Sequence, residues 1–152
     1  SSTSVSFSSI SSAYTDLILV LNLKATSAGS TDINVNFNSD TSSLYSRTYL
    51  AGNGTSALTA RSSNTTTIQI NNWSAATSGN TNYNAILNIM NYSNTTTFKT
   101  VLVRTNNADN AAESSVNLYR STSALSSIQI TPGASRAFDT GSTFTLYGVK
   151  SA

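Results

Sequence analysis

The segment DLILVLNL constrains this chain more than any other. Leu17, Leu19, Leu21 and Leu23 recur at every second residue. That period puts them on one face of an extended strand, whereas a helix would scatter them around its axis. Ile18 and Val20 make the first half of the other face apolar too, so this strand is expected to be central and covered on both sides at its start. The same alternation sets Ile33, Val35 and Phe37 inward in DINVNFNS. It sets Tyr83, Ala85, Leu87 and Ile89 inward in NYNAILNIM.

Read this way, SVSFSSI, DLILVLNLKAT, DINVNFNS, SLYSRTYLA, TTIQIN, NYNAILNIM, TFKTVLVRT, SSVNLYR, SSIQIT and STFTLYGV are strands. The joints between them are rich in Gly, Asn, Asp and Ser. Ala57 to Arg61 and Ala108 to Ser114 could each form a helical turn; no amphipathic helix stands out. Evenly spaced strands without crossover helices predict an all-β fold, an antiparallel β-sandwich of jelly-roll-like form. It would have about ten short strands and little or no helix, in one domain spanning residues 1–152, with a barrel as the structural alternative.

Ser, Thr and Asn supply 70 of the 152 residues, against 8 basic and 6 acidic ones. The surface is therefore solubilised by hydroxyls and amides, which suit the exposed face of a pleated strand. The basic residues are dispersed, and phosphate binding needs several acting together, so nucleic acid is not an expected partner. No apolar run is long enough to cross a membrane as a helix. The N-terminal SSTSVSFSSI has neither the charged nor the unbroken apolar part of a signal peptide. Without an initiator Met, the chain is expected to have been processed or cut from something longer.

Chemistry has few footholds. Cysteine and histidine are absent, which removes thiolate and imidazole nucleophiles, bases and metal ligands. No G-x-S-x-G elbow occurs. Glu113, the one glutamate, lies four residues from Asp109 in an expected loop. Glycoside hydrolysis needs two carboxylates facing across a cleft, and this pair reads more simply as solvated or turn-capping. Lys24, Lys99 and Lys150 show no local sign of burial. Asn34, Asn36, Asn38 and Asp40 are spaced like calcium ligands, but no mid-loop Gly or closing Glu follows. The three Asn read as the outer face of a strand, Asp40 as an Asx turn closing a corner, and Asn53-Gly54 as a tight turn. No cofactor is expected, and the chain is read as a non-enzyme.

Trp73, Tyr83 and Arg61 are the candidate glycan contacts, because aromatic faces stack on sugar rings while nearby polar groups bind the hydroxyls. Tyr45, Tyr49, Tyr92 and Tyr119 also stand near loops or strand ends. The plainer reading is that these aromatics seal the ends of the sandwich or contact a neighbouring subunit. The long segments SAATSGNTN and NNADNAAES are expected to carry any distal contact. Sequons occur at Asn53, Asn64, Asn72, Asn91 and Asn94, as expected by chance in so Asn- and Thr-rich a chain.

Three blocks, FNSDTSSLYSRTYLAGNG, NYSNTTTFKT and the closing FTLYGVK, give the chain a wider likeness. Over nearly its whole length it resembles the β-sandwich domains of tailed-bacteriophage virion structural proteins, both tail-fibre-type and capsid-associated. It departs from that pattern in SSISSAYTD, where such domains often carry a proline. The resemblance implies a virion structural protein, assembled in the host cytoplasm and exposed on the particle surface. Two roles follow from it, capsid decoration or cement and a fibre-head module. The alternative is a receptor-binding tail-fibre domain that recognises a host surface glycan. Expected partners are the chain itself as a homotrimer, other virion proteins such as major capsid or tail proteins, and in the alternative the glycan.

Overall fold

A computed structural model of the chain describes residues 1–26, 32–70, 82–133 and 135–151. Eleven strands form in it, in the order β1 (Val5–Phe7), β2 (Asp16–Leu23), β3 (Ile33–Phe37), β4 (Tyr45–Gly52), β5 (Ala57–Thr65), β6 (Ile68–Ile70), β7 (Tyr83–Met90), β8 (Lys99–Asn107), β9 (Ala111–Tyr119), β10 (Ile128–Pro132) and β11 (Thr143–Val149). Among the described residues there is no helix. Ala57 to Arg61 belongs to β5, and Ala108 to Ser114 is the β8–β9 turn and the start of β9. In both places pairing with a neighbouring strand overrides weak local helix preference.

Two antiparallel sheets pack face to face, one ordered β1-β10-β3-β6 and the other β11-β2-β7-β8-β9-β4-β5. The pairs β1–β10, β2–β7, β3–β6 and β4–β5 are nested one inside the next, which is the winding of a jelly roll. Here the seventh strand of that winding is a three-strand meander, β7-β8-β9, and β11 is added outside β2. An odd number of strands in the meander leaves the chain running the same way into β10, so every pairing stays antiparallel. β2 is therefore not central. It lies one strand in from the β11 edge, with Ile18 and Val20 only partly covered.

The core follows the alternation. Leu17, Leu19, Leu21 and Leu23 face Ile33, Val35, Phe37, Ile128 and Ile130 in a single buried cluster. Fully burying each such side chain contributes about 1.5–3 kcal/mol. The NFNSDTSSLY corner is fixed by hydrogen bonds. Asn38 and Ser39 turn the chain in the left-handed region, with φ of 51° and 57°. Asp40 Oδ1 accepts from Ser42 N at 2.8 Å, an Asx turn. Tyr45 stacks on Tyr119 with ring centroids 4.7 Å apart, and its hydroxyl donates to Asp40 O at 3.0 Å. At the next corner Asn53 Oδ1 accepts from Thr55 N and Ser56 N at 3.1 and 2.8 Å, and Gly54 supplies the positive φ of 85°. On β11, Gly148 packs under the Tyr14 ring so closely that a Cβ would overlap it.

Candidate interaction surface

The Asn34 to Asp40 series, read from the sequence as a strand's outer face and an Asx turn, is structural, but Asn36 is buried and not open to solvent. Asn36 Nδ2 donates to Asp40 O and Thr66 O at 2.9 and 2.8 Å. Asn38 Oδ1 accepts from Ser126 N at 2.8 Å and Ser127 N at 3.2 Å. The Asx series thus ties the corner to the segment before β10. Lys99, read from the sequence as showing no local sign of burial, is buried. Its parity with Val101 and Val103 points it inward, and Nζ donates to Asn94 O at 2.6 Å, Thr97 O at 2.9 Å and Thr122 O at 3.3 Å. Burial pushes its pKa below the usual lysine value, while the three carbonyls favour the ammonium.

Glu113 is not in a loop. It lies in β9, turned inward and buried, and it accepts a hydrogen bond from Arg47 Nη2. The Arg47 guanidinium also sits 4.1 Å from the Tyr49 ring centroid. Asp109 is in the β8–β9 turn, where its N–H donates to Asn107 Oδ1 at 3.1 Å. The two carboxyls therefore face no common cleft. Tyr83, Thr105 and Asn117 complete a polar cluster around the ion pair, and the Tyr83 hydroxyl faces Thr105 without a hydrogen bond of normal geometry. Arg47 Nε, Glu113 Oε2 and Asn117 Oδ1 likewise have no hydrogen-bond partner.

The glycan candidates do not converge. Tyr83 is fully buried, so its ring cannot stack on a sugar: it alternates with Ala85, Leu87 and Ile89 on the core face of β7. Burial raises its pKa above the ordinary tyrosine value. Trp73 lies outside the described residues, as does most of SAATSGNTN. Arg61 is exposed on the edge strand β5, paired across from Thr48. NNADNAAES forms a tight hairpin turn, Asn110 N donating to Asn107 O at 2.9 Å, and not a long loop. Tyr45, Tyr92 and Tyr119 are fully buried and Tyr49 nearly so, which agrees with aromatics that seal the sandwich.

What the sequence did not single out is the outer face of the seven-stranded sheet. Register places Tyr147, Ile18, Asn88, Leu102, Val116, Thr48 and Arg61 in one row across all seven strands. The next row is Thr145, Val20, Ile86, Arg104, Ser114, Leu50 and Thr59. Leu50, Ile86, Met90, Leu102, Val116 and Tyr147 are each between 36 and 62 % exposed. Beside them lies a shallow groove of about 330 Å³ between Leu50, Gly52, Arg104, Asn106 and Ala112. The charges on these rows are Arg61 and Arg104. Asp16, the one acid on this face among the described residues, stands at its corner, where Oδ1 accepts from Asn91 N at 2.7 Å.

The chain has no match among protein-family models, curated proteins or solved structures.

Proposed function

We propose that this chain is a non-enzymatic structural protein of a tailed-bacteriophage virion, exposed on the particle surface as a capsid decoration or cement protein or as a fibre-head module. The observation that carries this reading is the outer face of the large sheet. Exposed aliphatic residues scattered singly are ordinary, but a contiguous band of them across a sheet marks a contact surface. The remaining surface is hydroxyl- and amide-rich and poor in charge, which suits a part packed densely on a particle. The likeness of three sequence blocks to virion domains points the same way.

Self-association as a homotrimer belongs to this reading. A closed threefold needs a contact whose two halves are different surfaces, and the two open edges of the large sheet, β5 and β11, are such a pair. A host-glycan-binding fibre domain is the less supported reading, because Tyr83 is buried and the aromatic in the row of Arg61, Tyr147, stands on the opposite edge strand of the sheet. The test is gold-labelled antibody imaging of intact particles from cells that make the chain. Label over the head supports decoration, and label at tail or tips supports a fibre role. Absence of the chain from purified particles refutes both.

A further inference from the structure

We infer that the outer face of the seven-stranded sheet is covered by a different protein of the same particle. That partner sets aliphatic side chains against Leu102 and Val116 and a carboxylate against Arg104. The inference rests on the virion reading and adds the chemistry of the partner.

Size comes first. Seven strands spaced about 4.8 Å apart, carrying four outward rows about 6.7 Å apart, span on the order of 800–900 Å². A stable protein–protein contact buries about 800 Å² on each partner. This one face therefore has the footprint of a standard protein–protein contact.

Charge then argues against a second copy laid on the same face. Arg104 stands on β8, the middle strand of the seven, directly across from Ile86 and Ser114. Arg61 is at the edge, where its head can reach solvent. A second copy laid face to face would enclose Arg104 against a surface whose acid, Asp16, is at the corner and already caps Asn91. Enclosing a guanidinium without a carboxylate opposite is strongly unfavourable. A partner that brings its own carboxylate turns the same residue into an orienting contact, because a charge pair at the centre of an apolar interface fixes register and excludes wrong partners.

The experiment uses particles assembled without the chain, to which purified full chain is added and bound copies are counted by quantitative mass spectrometry. Wild type is compared with Leu102→Asp, Arg104→Glu, Arg104→Lys and, on the outer face of the small sheet, Gln129→Asp. All three positions are exposed, and thermal unfolding checks that each of the four variants folds. Binding of Leu102→Asp and Arg104→Glu is expected to fall by about tenfold or more. Arg104→Lys is expected to fall less, and Gln129→Asp is expected to bind as wild type. Sedimentation of the free chain should not change with Leu102→Asp. Full binding by both Leu102→Asp and Arg104→Glu overturns the inference while leaving the virion reading intact. A wild-type oligomer that Leu102→Asp dissolves also overturns it, and makes the occupant a second copy. Wild type that is absent from native particles and does not bind the stripped ones sinks the virion reading itself.

Discussion

Tyr119 Oη donates a 2.7 Å hydrogen bond to Asp40 Oδ2 across 79 residues of chain, tying the end of β9 to the corner after β3. Three contacts hold the Asp40 carboxyl below its ordinary value of 3.8: the Ser42 hydroxyl, then Tyr119, then the Ser42 N–H. A folded-state pKa below the unfolded one means that the native state releases the proton more readily. The contribution is therefore complete above about pH 4 and is lost as pH falls through the folded value. Asp40→Asn should cost about 0.5–1 kcal/mol at neutral pH, because solvent screens this partly exposed carboxylate. Its stability gap to wild type should close toward pH 2, as followed by urea unfolding at each pH. A gap that stays constant with pH would exclude the carboxylate as its source.

At the alkaline end three tyrosines act together. Burial raises the pKa of Tyr45, Tyr83 and Tyr119, and for Tyr119 the bond to Asp40 raises it further. The unfolded chain gives up these protons from about pH 10, whereas the folded chain keeps them. Stability is thus full below pH 10 and falls above it, by up to about 1.4 kcal/mol per pH unit for each group. Unfolding should become steeply easier between about pH 10 and 12, and tyrosinate absorbance should rise in step with the loss of structure. A smooth tyrosinate titration with no loss of stability would show that these hydroxyls are accessible.

Most of the fold was legible because apolar residues alternate wherever a strand has one buried face. β5 was missed for the opposite reason. In ALTARSSNT nearly every side chain is exposed, so no period is impressed on the sequence, and the strand exists only because β4 offers it a partner. The outer face was hidden differently. In TFKTVLVRT both faces are apolar, and nothing local tells Leu102, which is exposed, from Val101 and Val103, which are buried. Tyr83 and Lys99 carried a usable signal, since each shares parity with a run of core residues. Glu113 did not, because Ser115 and Asn117 on its own face of β9 are also polar and buried, which inverts the usual code.

Lys99 shows what a buried cation can do without a carboxylate. Three carbonyls take its three N–H donors, and they close the turn before β8 onto the segment after β9. Lys99→Met keeps the stem and removes the donors, leaving those carbonyls unsatisfied, and should cost about 2–4 kcal/mol. Lys99→Ala should cost more, because a cavity is added to the same loss. Urea midpoints of the two variants test the order. A Lys99→Met variant within about 0.5 kcal/mol of wild type would mean that water replaces the ammonium freely.

The Arg47–Glu113 pair lies inside the sheet, 5 % and 1 % exposed at the side chains, and only part of its hydrogen-bonding capacity is met. Arg47 Nε and Glu113 Oε2 lack partners, so the pair repays its desolvation poorly. Removing one member should be costly, about 3–5 kcal/mol for Arg47→Met or Glu113→Leu, because it strands the other charge. Removing both should cost far less than the sum and can equal or exceed wild type, because the Tyr49 ring and the aliphatic stems are left to pack together. A double-mutant cycle by chemical unfolding decides this. The expected result is a double variant more stable than either single one. Additive losses would mean that the two side chains act independently and that the cluster is held by contacts other than this ion pair.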